Sequence, residues 1–356
     1  MRNGEQHEMI NQESPVVSII LPCRNEAKSI RMCLESVITS DFPKAKLELL
    51  VVDGQSDDGT VKIVREFCAR HPWIRLLTNA RRITPAGMNV GICSAAGKIV
   101  IRMDAHTVYP SDYISKLIEW MEKSKADNVG GVCVTRPANQ SAKAQAIAFA
   151  LSHPWGVGDS HFRIGATAPK WVDTVPFGCY RREVFDKIGL YDEALVRNQD
   201  DELNHRLIKH GGRILLVPDI VSFYTARESL GKLWTMYYQY GYFKPLAVRK
   251  IGAVMTVRQL VPAIFVVSLI LTAFLALWSS AMEVLFGIIV TAYVALDLTV
   301  AFRAALERGV RCGLWSVVVF PLIHVSYGMG YLKGLLDFMI IRKGGHSDSF
   351  SLPLSR

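Results

Sequence analysis

Leu47-Glu48-Leu49-Leu50-Val51-Val52-Asp53-Gly54-Gln55-Ser56-Asp57-Asp58-Gly59-Thr60 is an apolar run that ends on a carboxylate and turns into a segment of helical spacing. The run Leu47 to Val52 reads as a buried strand. Val61, Ile63, Val64 and Phe67 give the following helix one apolar face, with Ser56 as its expected cap. The same unit recurs on both sides. Upstream, Val16 to Leu21 is a strand closed by Pro22, and Asn25 to Ser40 carries Ile30, Leu34, Val37 and Ile38 at helical spacing. Downstream come a short strand at Ile74 to Leu77, a helix opened by Thr84-Pro85 and closed by Gly97, and a strand at Ile99 to Met103. A helix from Ser111 to about Lys123 and a strand at Val129 to Val134 follow. This alternation predicts an α/β fold, a Rossmann-like, mostly parallel sheet with helices on both faces. Such sheets bind ligands beyond the carboxyl ends of their strands. Three acidic segments fall there: Asp53-Gly54, Asp104-Ala105-His106 and Asn198-Gln199-Asp200-Asp201-Glu202.

Outward from this region the pattern changes. Residues 138–173 lose periodicity, and His153-Pro154-Trp155-Gly156 with Gly158-Asp159 read as a long loop of the functional kind. Glu202 to His210 is helical, and Arg213 to Val217 is a strand expected to stop at Pro218. Leu230 to Val248 interleaves Trp234, Tyr237, Tyr238, Tyr240 and Tyr242 with Lys244, Arg249 and Lys250, which suits a helix lying at a membrane interface. Beyond Leu260, the segments 260–278, 284–302 and 313–331 each approach the roughly 20 apolar residues a bilayer requires. Arg249, Lys250 and Arg258 precede the first, and Arg303, Arg308 and Arg311 separate the second from the third. The positive-inside rule puts both groups on the cytoplasmic side, with three crossings. Arg342 and Lys343 then fall outside, a conflict that a re-entrant third segment removes. Asp297 and His324 lie within these spans and are expected to pair with each other or with a headgroup. The resulting division is a polar tail (1–14), an α/β domain (15–226), an interfacial segment (227–258), a transmembrane region of about three helices (259–341) and a C-terminal tail (342–356).

The bulk numbers agree. Among 356 residues, 50% are hydrophobic and the mean hydropathy is +0.20, values reached only because the last third is so apolar. The net charge of +9 carries no Lys/Arg-rich run, helix-turn-helix or zinc-finger pattern, which argues against nucleic acid and for an anionic lipid face or substrate. The seven cysteines form no CxxC pair and read as reduced core residues. The polar first 14 residues are not a signal peptide, so the α/β domain is expected in the cytoplasm, anchored to the inner membrane by a multi-pass tail.

The acidic segments imply distinct chemistry. Pro22-Cys23-Arg24-Asn25-Glu26 presents backbone amides and a base at a strand end, which suits a nucleotide. Asp53 can accept hydrogen bonds from a base or ribose, while Asp57, taken alone, reads as a helix cap. Asp104 and His106, two apart on an extended segment, share a side and can hold Mn²⁺ or Mg²⁺ against a diphosphate. Asp200, Asp201 and Glu202 crowd three acids at a helix start, which pushes one carboxyl toward the pKa of a useful base.

These motifs, together with Gly87-Met88-Asn89-Val90-Gly91 and the run from Asp173 to Glu202, resemble the family 2 glycosyltransferases with the GT-A fold, and within them the succinoglycan-type glucosyltransferases. The resemblance implies a metal-dependent, inverting, membrane-anchored enzyme of exopolysaccharide or other cell-surface glycan assembly. It would move a single sugar, glucose by analogy, from a UDP-sugar to a polyprenyl-diphosphate-linked saccharide. Pro22, Arg24, Glu26 and Asp53 would contact the uridine part, with Asp57 and Asn89 in support. Asp104 and His106 would hold the divalent cation, and Asp200 would be the general base. Asp201, Glu202, Arg206, His153, Trp155, Arg163 and Gln239 fall on the acceptor side. Three positions depart from the family pattern: His106 replaces a second Asp, Gln199 stands where Glu is usual, and Gln239-Tyr240-Gly241-Tyr242-Phe243 lacks the Arg and Trp of processive synthases. The last favours single-sugar addition. A non-catalytic nucleotide-sugar-binding scaffold subunit is the rival reading. Neither the oligomeric state nor membership of a larger synthesis complex is written in the chain.

Overall fold

The computed structural model describes residues 15–252 and 257–342. The expected tail at 1–14, residues 253–256 of the interfacial segment and nearly all of the C-terminal tail lie outside them.

The front of the chain alternates as its periodicity predicts: β1 (Val17–Cys23), α1 (Ile30–Ile38), β2 (Leu47–Asp53), α2 (Thr60–Arg70), β3 (Ile74–Thr78), α3 (Thr84–Ser94) and β4 (Ile99–Arg102). β5 (Thr107–Val108), α4 (Tyr113–Ser124) and β6 (Asn128–Arg136) follow. The loop region contains α5 (Ala142–Ala150), two single turns α6 (Pro154–Val157) and α7 (His161–Ile164), and β7 (Lys170–Trp171). Then come β8 (Cys179–Arg181), α8 (Arg182–Ile188), α9 (Gln199–Lys209) and β9 (Ile214–Thr225). The sheet order is β3-β2-β1-β4-β8-β6-β9-β5, with β7 also on β9.

The parallel expectation holds for β3-β2-β1-β4 and for β6 with β9, but β8 runs antiparallel between β4 and β6, and β5 and β7 are antiparallel to β9. The sheet is mixed because β5, β7 and β8 have only two or three residues each, too few to show a periodicity. Pro218 does not end its strand. The pairing of β9 with β6 slips between Gly131 and Val132, from Val217 to Val221, so Pro218 sits in a bulge where its missing N–H is not required. Two expected caps also move. α2 begins at Thr60 after Gly59 in left-handed backbone, and Ser56 instead donates to Asp53. Thr84 is already the first residue of α3, after Ile83, which offers no side-chain cap.

The strands of β1 and β2 are almost wholly buried, and one core runs from them through α1, α4 and α5. It continues without a break to Val319, Phe320 and Ile323 of the C-terminal helices. Those helices are α10 (Leu230–Ile251), α11 (Val261–Leu275), α12 (Ser280–Arg308) and α13 (Val310–Leu335), the last prolonged by a π turn at Leu336–Ile340. α12 and the α13 segment are long and apolar enough to cross a membrane. α11, with 15 residues, spans about 22 Å, short of a ~30 Å hydrocarbon layer. Their outer faces expose large apolar side chains such as Ile264, Phe274, Ile288 and Phe302. His324 does not pair with Asp297. Its Nε2 donates to the Trp155 carbonyl at 2.7 Å and its Nδ1 faces the Tyr293 hydroxyl at 2.8 Å.

α10 is clamped to α13 at glycines. A Cβ at Gly241 would collide with the Tyr327 carbonyl, one at Gly330 with that of Tyr238, and one at Gly334 with that of Tyr242. No backbone can yield there without parting the two helices. Gly241→Ala is therefore expected to cost about 1–3 kcal/mol of stability through overpacking, seen as a lower unfolding temperature of the detergent-solubilised protein, whereas Gly231→Ala, which meets open space, leaves it unchanged or raised.

Candidate active site

The chain leaves β1 toward β2 on one side and returns through β4 on the other, so the carboxyl ends of β1 and β4 flank a topological switch point. A cavity lies there. Pro22, Cys23, Arg24 and Glu26 line it from β1, and Arg102, Asp104, Ala105 and His106 from β4. Arg82, Ile83 and Thr84 enter from the start of α3, Val196, Arg197 and Gln199 from the start of α9, and Arg227 from beyond β9.

Arg102 organises the site. It is two residues before Asp104 and shares its side of the chain. Its Nη2 lies 3.2 Å from Asp104 Oδ1, and its Nη1 forms an ion pair with Asp200. The guanidinium is only 7% exposed, so one buried cation holds carboxylates from two distant segments. Those carboxyls titrate apart. Burial pushes Asp200 up from the ordinary carboxylate range, with help from Asp104 and Asp201, and Arg102 only partly restrains it. Burial acts on Asp104 too, but Arg102 and His106 outweigh it and hold that carboxyl down. Two carboxylates with separated pKa values can divide the work of permanent charge and proton acceptor.

The three acids of α9 are not mainly one another's perturbers. Each has its own cation: Asp200 has Arg102, Asp201 Oδ2 has Lys244 Nζ at 2.5 Å, and Glu202 has Arg206 at 2.7 Å. Lys244 belongs to α10 and is 6% exposed. Arg206 also donates to the carbonyls of Ile188 and Leu190, which fixes the loop before the site.

On the β1 side, Glu26 faces His106 Nδ1 at 3.5 Å and accepts from Ser29 Oγ at 2.7 Å. Burial opposes its ionisation, but those two partners together hold it below the usual range. Asp53, Asp57 and Asn89 are placed away from the cavity lining. Asp53 is 5% exposed and accepts from the Ser56 amide at 3.0 Å and its hydroxyl at 2.5 Å, closing the turn after β2. The Asp57 amide donates to Asn25 Oδ1, locking that turn onto the one after β1. Asn89 donates to the Tyr191 carbonyl and to Glu193 and accepts from the Tyr191 amide, each at 2.9 Å.

The acceptor-side residues divide into two groups. Gln239, 1% exposed on α10, accepts from Arg197 Nε at 3.2 Å, and Arg163 lies against the Tyr224 ring, which meets His106 edge-on. His153 and Trp155 instead sit against α13: His153 stacks on Phe149 of α5 and meets Phe320 of α13 edge-on, and Trp155 packs on His324.

Asp104 and His106 suit a divalent cation only in part. They bring one oxygen-type and one nitrogen-type ligand, and no cluster of three or more His, Cys, Asp or Glu occurs among the described residues. Two protein ligands are the number expected when phosphate oxygens and water complete the shell, and an imidazole fits Mn²⁺ better than Mg²⁺.

Arg82, Arg102, Arg197 and Arg227 were not singled out by their surroundings in the sequence. Arg102 left a signal nonetheless: it is the one charge in an otherwise apolar strand, two positions from an aspartate.

Residues 18–189 match the family model described as Glycosyl transferase family 2. The succinoglycan biosynthesis protein ExoA of Rhizobium meliloti is 31% identical over 324 residues, covering 90% of this chain and 95% of its own. A dolichyl N-acetyl-alpha-D-glucosaminyl phosphate 3-beta-D-2,3-diacetamido-2,3-dideoxy-beta-D-glucuronosyltransferase of Methanococcus voltae is 28% identical, covering 90% and 97%. The mannosyltransferase PcManGT of Pyrobaculum calidifontis, solved with GDP-Man and Mn²⁺, shares the fold with a TM-score of 0.59 at 20% identity, over 91% of this chain and 88% of that one. The fold and the site thus define a GT-A glycosyltransferase. The chain belongs to glycosyltransferase family 2.

Two outcomes follow from the geometry. Lys244→Met leaves Asp201 without its cation at the first turn of α9, and turnover is expected to drop roughly ten- to a hundredfold through misplacement of Asp200. Adding Asp201→Asn should recover part of the loss, which a double-mutant cycle on kcat reads directly. With Asp200 as a proton acceptor, its raised carboxyl would set an acid limb: turnover is expected to fall as pH drops through it. Arg102→Gln, which removes the restraint on Asp200, is expected to move that limb to higher pH in a kcat–pH profile.

Proposed function

We propose that this chain is a membrane-anchored, inverting transferase that moves one sugar, glucose in the first instance, from a UDP-sugar to a hydroxyl of a polyprenyl-diphosphate-linked saccharide. The observation that carries the reading is the buried Arg102 of an arginine-lined cavity, which pairs both with Asp104, a carboxylate of the cavity wall held ionised, and with Asp200, a raised one beside the lining residue Gln199.

In this mechanism Arg24 and Glu26 engage the nucleotide end of the donor, and Arg82, Arg197 and Arg227 supply positive charge for its diphosphate. Asp104 and His106 would hold a divalent cation, which lends charge stabilisation to the nucleoside diphosphate as it leaves. Asp200 takes the proton from the acceptor hydroxyl, whose oxygen attacks the anomeric carbon opposite the departing diphosphate. The carbon–oxygen bond to the acceptor forms as the bond to the diphosphate breaks, so the configuration inverts. Arg102 keeps Asp200 aimed and ionised until that transfer.

Anchoring through α12 and α13, with the α/β domain on the cytoplasmic side, brings the site to where lipid-linked acceptors lie. The Methanococcus relative, whose name specifies a dolichyl-phosphate-linked sugar as acceptor, supports this choice.

The test is release of UDP by the purified protein, with membrane lipid extract as acceptor, over a panel of UDP-sugars with and without Mn²⁺. Release for one sugar, lost by a factor of about 10² to 10⁴ in Asp200→Asn, is the expected result. A folded Asp200→Asn protein with full turnover overturns the base assignment, and UDP binding without any release favours a scaffold subunit.

A further inference from the structure

Gln199 is the first residue of α9, lines the cavity and is only 5% exposed, yet its Oε1 has no hydrogen-bond partner among the described residues. Two other buried amides of the same region have partners for their oxygens, whereas Asn128 Oδ1, away from the cavity lining, shares the lack. Asn204, one and a half turns along α9, accepts from Asn128 Nδ2 at 3.0 Å and from the Tyr180 hydroxyl at 3.1 Å, and donates to Thr174 Oγ1 at 2.9 Å. Gln239 accepts from Arg197. A buried carbonyl left unpartnered costs stability, and an apolar side chain of the same length would remove that cost.

The partner that this oxygen lacks must be a donor. Phosphate oxygens cannot supply one at neutral pH, nor can a carboxylate. A sugar hydroxyl can. The position narrows the choice further. Gln199 adjoins Asp200, which must lie across the reacting carbon from the diphosphate, whereas the nucleotide end faces Arg24 and Glu26 on the β1 side. The ring being transferred occupies the space between.

Resting on the transferase reading above, we propose that Gln199 is a specificity-determining residue that reads the transferred sugar, its Oε1 accepting a hydrogen bond from one ring hydroxyl of the donor hexose. The neutral amide does so without adding a further negative charge beside Asp200.

The experiment is calorimetric binding to the full-length protein in detergent with Mn²⁺, using UDP, UDP-glucose and the 3-, 4- and 6-fluoro analogues, for wild type, Gln199→Met and Gln199→Glu. Gln199→Met is expected to bind UDP as wild type does but UDP-glucose about tenfold more weakly. One fluoro analogue, which cannot donate at its substituted position, should lose a similar factor on wild type and nothing further on Gln199→Met. Gln199→Glu, which keeps an acceptor oxygen, should retain the discrimination against that analogue. The unfolding temperature of Gln199→Met should equal or exceed that of wild type, because an unsatisfied group has been removed. Equal affinity of Gln199→Met and wild type for UDP-glucose overturns the inference, as does parallel loss of UDP and UDP-glucose with a lowered unfolding temperature. A wild-type protein that binds UDP-glucose while this pattern fails leaves the donor reading standing. One that binds no nucleotide sugar from UDP, GDP and dTDP panels overturns both.

Discussion

A buried guanidinium is the constraint on which the rest of this structure depends. Arg102 ends a strand whose other residues are apolar, and taking its charge out of water is tolerated only because two carboxylates meet it. One of them comes from the same strand end and the other from nearly a hundred residues later. The sheet must therefore bring β4 beside the entry to α9, and the antiparallel insertion of β8 next to β4, with α8 directly after it, carries the chain back to that point. The arrangement of the second half of the domain is in this sense a solution to one ion-pair problem.

A second layer of charge holds the first in place. Asp201 and Glu202 look in the sequence like a crowd of acids, yet in three dimensions they are fasteners. One ties α9 to the helix that packs on α13, and the other ties it to the loop after α8. Partly buried pairs of this kind contribute modestly to stability, and breaking one partner costs more than the pair is worth. Their value here lies in direction: each of three neighbouring carboxylates is pointed at its own cation, which leaves Asp200 to Arg102 of the cavity wall.

Much of the fold was legible because buried strands and amphipathic helices write their period into the chain. β1, β2, β4 and the helices between them fall where the apolar runs place them, and Arg24, Glu26, Asp104 and His106, which follow strand ends in the sequence, line one cavity. What stayed hidden has common physical causes. β5, β7 and β8 are shorter than any detectable repeat. Pro218 is harmless inside a bulge that only pairing with β6 reveals. Asp53 and Asn89 carry the same residue types as ligand-binding positions, but hydrogen bonds that no spacing discloses, within the turn after β2 for one and to residues about a hundred positions on for the other, engage their side chains. The five arginines of the cavity arrive from five separate segments, and a net charge of +9 spread over the chain gives no hint that they converge.

The glycine contacts between α10 and α13 have one further consequence. Because the two helices touch backbone to backbone, and because Gln239 and Lys244 of α10 reach Arg197 and Asp201, the cavity is joined to the apolar helices without a hinge. Its position is fixed as a length measured along α13, at about 1.5 Å per residue. An enzyme built this way acts as a gauge. For a lipid-linked acceptor of the kind proposed, it would reach hydroxyls at one height along that axis, and the length of the saccharide between lipid and acceptor hydroxyl would become a dimension of specificity, set by a helix crossing far from the chemistry.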